Sequence, residues 1–352
     1  MEFLLDYGLF LAKILTFAST VIIIFAIIKN AGGKEGQKGK LTITNLTDKH
    51  KDLIHAIESH LYDDAVLKVR NKKEKKANKA KAQEVKAEAK KITDLTKLVS
   101  SRNPHLFVVD FKGSIDAREV TALREEITAV LAVIKEGDEV MVRLESSGGM
   151  MHAYGLASSQ LDRIKQAGIL LTISIDKVAA SGGYMMACVA DRIIAAPFAI
   201  VGSIGIIAQL PNFNKLLKKY NIEFEQLTAG EFKRTLTMFG ENTDKARDKF
   251  ISELEETHVL LKNFIAVHRP SLNLEKVATG EHWFGNQALP LGLIDSIGTS
   301  DDYLMSAIKE KNVLGIRYVE RKKLTQQLAD SAAEATDRLL LKWISLGQRP
   351  IV

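Results

Sequence analysis

The stretch VAASGGYMMACVADRIIAAPFAIVGSIGI, from Val178 to Ile206, is the most informative part of the chain. It places Ser181 after two alanines and before two glycines, inside a run too apolar for a surface loop. A buried hydroxyl without a partner costs about 1–3 kcal/mol, so a serine in such surroundings usually has a specific role. The glycines allow another backbone or a substrate to approach its oxygen. Two interpretations fit equally well: a nucleophile, or a serine that caps a helix after a tight turn.

Strands and helices alternate on both sides of this stretch. Apolar runs predict strands over 106–111, 139–146, 169–175, 192–196 and 201–206. Helical patterns cover 117–134, 152–167, 243–268 and 301–310. Alternation with this spacing predicts an α/β domain with a largely parallel sheet.

An apolar segment near the N-terminus predicts a membrane anchor. Residues 14–28 carry no charge, and the longer segment 8–28 has 21 residues, enough to span a hydrocarbon core of about 30 Å. Acidic residues precede the apolar run and lysines follow it, which is the wrong charge order for a cleaved signal peptide. We therefore expect a single uncleaved transmembrane helix. The lysines after it favour a cytoplasmic C-terminal domain by the positive-inside rule.

The net charge of +6 belongs to one segment. Residues 68–91 hold 11 Lys/Arg and 3 Asp/Glu, a local net charge of +8, which leaves about −2 for the rest of the chain. This distribution argues against a nucleic-acid partner. The segment is rich in good helix formers and has almost no apolar stripe, so we expect a solvated helix or a flexible arm. Attraction to anionic lipid headgroups is the alternative.

These features divide the chain into four regions. We expect a transmembrane anchor over 1–30, a linker and Lys-rich extension over 31–104, a catalytic domain over 105–310 and a C-terminal extension over 311–352. The last region includes a stretch of helical composition, 324–346, to which the sequence assigns no role.

A serine hydroxyl is a poor nucleophile until a base removes its proton. No histidine lies between 153 and 257, so a Ser-His-Asp triad has no local support, although triad partners can be distant in sequence. Lysine is the alternative base if burial lowers its pKa towards neutrality. Lys233, within TAGEFKRTLTMFG, and Lys177, four residues before the serine, are the candidates. From the residues alone, an ordinary surface lysine is the favoured interpretation of Lys233.

The sequence VAASGGYMMACVADRIIAAP followed by VGSIGI resembles the nucleophile region of the serine–lysine peptidases typified by signal peptide peptidase A. That family has its lysine in a G-x-aromatic-Lys motif about fifty residues after the serine, and GEFK ends at Lys233, 52 residues after Ser181. SSGG at 146–149, GSIG at 202–205 and FGNQALPLGLID at 284–295 are also similar. The resemblance covers 105–310. The anchor and basic insert are most similar to those of the SohB-type inner-membrane proteases.

The resemblance implies a crotonase-like α/β superhelix, the fold shared with the ClpP peptidase, and a role for each motif. Ser181 is expected to be the nucleophile that forms an acyl-enzyme, and Lys233 the general base. The backbone N–H of Gly148 or Gly149, together with that of Gly182, is expected to form the oxyanion hole.

Two further residues have weaker assignments. Ser203 either holds the lysine amine or is a turn serine, and the two interpretations are equal. Cys188 is expected to pack in a helix, and as the single cysteine it excludes an intrachain disulfide. The chain departs from the family at Ser147, where proline is usual, and at Asp176-Lys177, which replace a less basic pair.

The resemblance implies a membrane-anchored serine endopeptidase of the bacterial inner membrane. Expected substrates are peptide bonds in apolar segments, such as signal peptide remnants or damaged membrane and exported proteins, with no metal or other cofactor. Related enzymes form homo-oligomeric rings in which neighbouring protomers supply the serine and the lysine. Anchored members usually place the catalytic domain on the periplasmic side, against the charge bias above. Two alternatives stay open: a crotonase-type acyl-CoA enzyme and a catalytically inactive membrane scaffold.

Overall fold

The computed structural model describes 102–320 completely and the N-terminal part in pieces. The described N-terminal residues are 13, 16, 39–63, 65–70, 72–73, 75–76, 79–80 and 83. Within these ranges no helix is long and apolar enough to cross a membrane. The predicted anchor, apart from positions 13 and 16, and the C-terminal stretch 324–346 lie outside the described residues.

Leu41–Tyr318 forms one compact unit. A second unit comprises Met1–Lys40 and Val319–Val352, of which few residues are described. The strands are β1 (Lys40–Asn45), β2 (His105–Lys112), β3 (Glu139–Glu145), β4 (Leu170–Ile175), β5 (Val178–Ala180), β6 (Arg192–Ala195), β7 (Ile200–Gly202), β8 (His282–Phe284), β9 (Ser296–Ile297) and β10 (Asn312–Val319). The helices are α1 (Leu46–Leu61), α2 (Val120–Leu131), α3 (Met151–Gln166), α4 (Gly182–Ala187), α5 (Asn214–Lys219), α6 (Asp244–His268), α7 (Leu274–Val277), α8 (Gly285–Ala288) and α9 (Ser300–Ala307).

The strands form two sheets. The larger has seven strands in the order β1-β10-β2-β3-β4-β6-β9, and every pair from β10 to β9 is parallel. The smaller has the order β5-β7-β8, with β5 and β7 parallel and β7 and β8 antiparallel. The predicted α/β class with a largely parallel sheet is therefore confirmed. The larger sheet also includes β1 and β10, which lie outside the 105–310 range expected for the catalytic domain.

Apolar side chains on both faces of the larger sheet explain why its strands are almost continuously hydrophobic. Because side chains alternate along a strand, Phe107 and Val109 of β2 point into the main core, whereas Leu106 and Val108 point to the opposite face. Helices α2 and α3 cover the main core, and α9 covers the smaller core on the other face through Leu304.

Backbone conformation explains where a predicted strand ends early and where a predicted helix begins late. The predicted strand over 201–206 ends at Gly202, because Ser203 has a positive φ of 50° that takes the chain out of the extended conformation. The predicted helix over 117–134 begins at Val120, since Ala117 has φ 44°. In the Lys-rich segment the described residues up to 83 are helical, and their lysines are exposed.

Candidate active site

Ser181 lies at the sharp turn between β5 and α4. Its backbone has φ 53° and ψ −117°, a conformation that residues with a Cβ rarely adopt and that stores strain. The turn is held by the Ser181 N–H, which donates to the Gly202 carbonyl on β7 at 2.8 Å. A strained serine between a strand and a helix is the geometry that exposes a nucleophilic hydroxyl in many hydrolases.

The helix-capping interpretation of Ser181 is wrong. Its side chain makes no capping hydrogen bond to α4, although the residue occupies the N-cap position. The residue is half-buried, and its Oγ has no hydrogen-bond partner in the described part of the chain.

The glycine loop after β3 packs directly against the serine turn. The Ser146 N–H donates to Val178 O at 2.9 Å and Ser146 O accepts from the Ala180 N–H at 3.0 Å, which fastens the loop to β5. A Cβ on Gly148 would lie 2.7 Å from Ser181 Cβ and 2.9 Å from Gly182 N. Only glycine permits this approach, and its φ of 90° is also unfavourable for other residues.

Three backbone N–H groups surround this contact, and they differ in their partners. The Gly148 N–H donates to Ser146 Oγ at 3.0 Å. The N–H groups of Gly149 and Gly182 have no acceptor among the described residues. Free amides beside a reactive oxygen are what an oxyanion hole requires. Of the two loop glycines expected from the sequence, Gly149 is the one whose N–H is unengaged.

Ser203 lies beside the same turn. It follows Gly202, whose carbonyl accepts from the Ser181 N–H, and its own N–H donates to Glu281 O at 2.7 Å. Its φ of 50° and its half-buried side chain suit either of the two expected roles.

Lys233 is not brought to Ser181 by any hydrogen bond or ion pair in the described part of the chain. It is exposed in the segment 207–242, and its N–H donates to Gly230 O at 3.2 Å. The neighbouring Glu231 pairs with Lys245 instead of Lys233.

Lys177, the other candidate base, lies on the surface. The Nζ of Lys177 is 3.3 Å from Glu145, and its side chain is 68% exposed. Lys112 and Lys177 together hold the pKa of Glu145 below its usual value. The amine of Lys177 is therefore engaged by Glu145, and no hydrogen bond joins it to Ser181 in the described part of the chain. Its neighbour Asp176 accepts from the N–H and Oγ of Ser300 at the start of α9, a structural contact.

Tyr154 and Ser146 are buried behind the glycine loop, and the sequence assigned no role to either. Tyr154 on α3 is fully buried, and its hydroxyl lies 2.5 Å from Ser146 Oγ and 2.8 Å from Ser114 O. Burial raises the pKa of the Tyr154 phenol, so it stays protonated. The only available signal was an aromatic residue on the inward face of a predicted helix, and that pattern does not distinguish a core tyrosine from a hydrogen-bonding one.

Cys188 is fully buried, and its Sγ donates to Met185 O at 3.2 Å. Burial raises the pKa of its thiol to about 12. The expected packing role is therefore confirmed. Among the described residues no cluster of three or more His, Cys, Asp or Glu side chains is arranged to hold a metal ion.

An α/β scaffold that presents a strained serine beside free amides is typical of hydrolases that form an acyl-serine intermediate. The family models for Peptidase family S49 N-terminal and Peptidase family S49 match residues 2–161 and 163–314. The chain belongs to peptidase family S49, and it is a peptidase.

Similar proteins cover nearly the whole chain. A probable protease SohB of Haemophilus influenzae is 46% identical over 99% of this chain and 98% of its own length. A probable protease SohB of Buchnera aphidicola subsp. Acyrthosiphon pisum is 50% identical over 97% of this chain and 98% of its own length. Protease 4 of Haemophilus influenzae is 27% identical over 57% of this chain and 34% of its own length.

A solved structure of a mutant 1510-N membrane-bound stomatin-specific protease with a substrate peptide shows a distant likeness. It has a TM-score of 0.39 and 15% sequence identity, over 66% of this chain and 99% of that chain.

Proposed function

We propose that this peptidase is a membrane-anchored serine endopeptidase with a Ser181–Lys233 dyad. Ser181 is the nucleophile, the N–H groups of Gly149 and Gly182 bind the oxyanion, and Ser203 holds the amine of Lys233. The observation that carries the proposal is the strained turn at Ser181, whose hydroxyl and two neighbouring N–H groups have no hydrogen-bond partner among the described residues. Membership of a peptidase family supports peptide bonds as the substrate, in preference to an acyl-CoA thioester.

The reaction follows from these positions. The neutral amine of Lys233 takes the proton of Ser181 Oγ as the oxygen attacks the carbonyl carbon of the scissile bond. Negative charge then develops on the carbonyl oxygen, where the amides of Gly149 and Gly182 stabilise it. The C–N bond breaks as the lysine ammonium returns the proton to the leaving amine. Water, deprotonated by the same lysine, releases the acyl group from the serine.

A second copy of the chain completes the dyad in this proposal. Lys233 is exposed, and its segment 207–242 carries exposed apolar side chains that include Leu227 at 93%, Ile207 at 80% and Tyr220 at 66% exposure. Exposed apolar surface of this extent is typical of protein interfaces. A homo-oligomeric ring would cover it and bring Lys233 to the serine of the adjacent protomer.

The cellular setting of the proposal is the bacterial inner membrane, held by the apolar segment 8–28. Substrates are apolar stretches such as signal peptide remnants or damaged membrane and exported proteins. A catalytic domain anchored at the bilayer meets such stretches without a long diffusional search. The positive-inside bias and the usual orientation of anchored relatives oppose each other, and we favour the periplasmic side.

Substitution of the two dyad residues tests the chemistry. Ser181→Ala and Lys233→Ala are each expected to lower hydrolysis of a fluorogenic apolar peptide by about 10⁴-fold or more, because members of a catalytic unit fail together. Lys177→Ala is the matched lysine control and should retain activity. A fluorophosphonate should label Ser181 in the unmodified chain. Full activity of either dyad variant would exclude the proposed mechanism, and an unlabelled serine would favour an inactive scaffold.

Mixing the two inactive variants tests the shared dyad. If neighbouring protomers supply Ser181 and Lys233, hetero-oligomers of Ser181→Ala and Lys233→Ala chains contain some intact sites. Activity should then return after subunit exchange, to about a quarter of the unmodified level for random mixing in a ring of shared sites. A mixture that stays inactive while exchanging subunits would place both residues in one chain.

A further inference from the structure

Four groups form a continuous hydrogen-bonded chain behind the glycine loop. The Gly148 N–H donates to Ser146 Oγ at 3.0 Å, Ser146 Oγ lies 2.5 Å from Tyr154 Oη, and Tyr154 Oη donates to Ser114 O at 2.8 Å. Because the tyrosine proton goes to a carbonyl, which only accepts, the Ser146 hydroxyl must donate to Tyr154 Oη. Every bond therefore runs in one direction, from the loop amide to the Ser114 carbonyl.

A second hydrogen bond joins the glycine loop to the turn at 114–115. The Met150 N–H donates to Ile115 O at 2.8 Å, one residue after the carbonyl that ends the chain of hydrogen bonds. Ser114 is itself fixed, since its N–H and Oγ donate to Glu119 Oε2 at 3.0 and 2.8 Å. Gly149 thus lies between two residues whose N–H groups are anchored to one rigid turn.

We infer that Tyr154 is a positioning residue that sets the orientation of the Gly149 N–H through Ser146 and Gly148. This inference rests on the proposed function, in which that N–H binds the oxyanion. Tyr154 also packs against the other side of the site, because a Cβ on Gly182 would lie 2.5 Å from its ring. One buried side chain therefore contacts both segments that supply oxyanion donors: its hydroxyl holds the loop, and its ring supports the turn.

A directed chain of this kind suits the task. Hydrogen bonds that run in one direction polarise one another and hold the loop amide plane in a single orientation. An oxyanion hole acts only if its donors already point at the position where charge develops. A rotation of the Ser147–Gly148 or Gly148–Gly149 peptide would leave the fold intact and still remove this alignment.

Tyr154→Phe removes the hydroxyl and keeps the ring, so it tests the inference directly. In the full-length protein in detergent, kcat for a fluorogenic apolar peptide should fall about 10- to 100-fold, less than the 10²–10³ typical of losing a donor outright. KM should stay within about twofold, because the contact acts on the transition state. The rate of Ser181 labelling by a fluorophosphonate, which places an oxygen in the same position, should fall with kcat.

Tyr184→Phe is the matched control. Tyr184 is also fully buried, on α4, and its hydroxyl donates to Leu293 O at 3.0 Å, away from the glycine loop. Tyr154→Phe loses two buried hydrogen bonds and Tyr184→Phe loses one, so both variants should have lower melting temperatures, with the larger decrease in Tyr154→Phe. Only Tyr154→Phe should lose kcat. Equal losses of kcat in the two variants would overturn the inference, since a general loss of rigidity would then explain both.

Ser146→Ala tests the residue in the middle of the hydrogen-bonded series, between Gly148 and Tyr154. Because Tyr154 acts through Ser146, the double variant Tyr154→Phe/Ser146→Ala should be no slower than Ser146→Ala alone. Multiplicative losses would overturn the inference. Ser181→Ala separates the two levels: if it is inactive while Tyr154→Phe has the unmodified kcat, only the role of Tyr154 fails. If Ser181→Ala is active, the proposed peptidase mechanism fails and the inference with it.

Discussion

The turn around Ser181 and the segment 207–242 around Lys233 belong to one chain but have opposite surroundings. Almost every residue from 179 to 190 is buried, and glycines there bring backbones into direct contact. Almost every residue from 207 to 242 is exposed or half-buried, including many large apolar ones. The first region is packed within one chain, whereas the second leaves large apolar side chains on the surface. In the proposed mechanism, this difference assigns the nucleophile to the packed region and the lysine to a surface that a second copy of the chain would cover.

Gly148→Ala should have a large effect on activity, because it disturbs the close packing around Ser181. Its Cβ would lie 2.7 Å from Ser181 Cβ on a backbone with φ 90°, so the loop must move. A displacement of about 1 Å at a reacting group costs about 10²-fold in rate, and we expect at least that loss of kcat. Gly168→Ala is the control: it has φ 71° but no atom within 4 Å of its Cβ. It should cost about 1 kcal/mol of unfolding free energy and leave kcat unchanged.

Truncation of one buried leucine of the larger sheet and one leucine of the segment 207–242 compares buried with exposed surroundings. Leu171 on β4 is fully buried, and Leu171→Ala should lower the free energy of unfolding by about 2–5 kcal/mol. Leu227 is 93% exposed, so Leu227→Ala should change it by less than about 0.5 kcal/mol in a dilute sample. In sedimentation velocity, Leu227→Ala should instead weaken self-association. Equal destabilisation by both, with assembly unchanged, would contradict the contrast.

The stability of the folded chain should also depend on pH, through Glu126 on α2. Burial, with a further contribution from the charge of Asp110, raises the pKa of Glu126 to about 7 in the folded protein from 4.5. Ionisation therefore opposes folding: stability is fullest below pH 4.5 and decreases as the pH rises to about 7, by up to about 3 kcal/mol. Glu126→Gln keeps an acceptor for the Tyr318 N–H, which donates to Glu126 Oε1 at 2.7 Å.

Urea unfolding at pH 5 and pH 8 measures this effect. The unmodified protein should be less stable at pH 8 than at pH 5, and Glu126→Gln should reduce that difference. An equal change with pH in both proteins would assign the dependence to other groups.

Ser203→Ala should give the smallest effect, and it tests the proposed contact between Ser203 and Lys233. If Ser203 Oγ holds the amine of Lys233, its loss removes one hydrogen bond, worth about 1 kcal/mol, and lowers kcat/KM about fivefold. Ser159→Ala, an exposed serine on α3, is the control and should leave kcat/KM unchanged. An unmodified kcat/KM in Ser203→Ala would identify Ser203 as a turn serine.

The sequence predicted the α/β fold well where local patterns decide the structure. The apolar runs that became β2, β3 and β4, and the helices α3 and α6, were correctly located because burial requires continuous or periodic apolar residues. The pattern did not predict that β10, after residue 310, pairs with β2. That pairing joins residues about two hundred positions apart, and such contacts leave no local signal.

The candidate site was predictable to a lesser degree. The glycines around Ser181 indicated a close backbone contact, and the structure has it at Gly148. The hydroxyl of Ser146 accepts from the Gly148 N–H, which leaves the Gly149 N–H as the unengaged one among the described residues. The Ser146 hydroxyl in turn contacts Tyr154, eight residues later on another element. Only the folded chain shows those contacts. The exposure of Lys233 is likewise a property of the tertiary structure.

Because Cys188 is buried, its thiol is unreactive towards reagents in water. With no exposed surface and a pKa of about 12, it offers almost no thiolate to a water-soluble reagent at neutral pH. Since it is the only cysteine in the chain, any cysteine introduced at an exposed position becomes the single reactive one. The natural sequence therefore already serves as an unreactive background for attaching a spin label or a fluorophore to the Lys233 segment, with no need to alter the helix that follows the nucleophile.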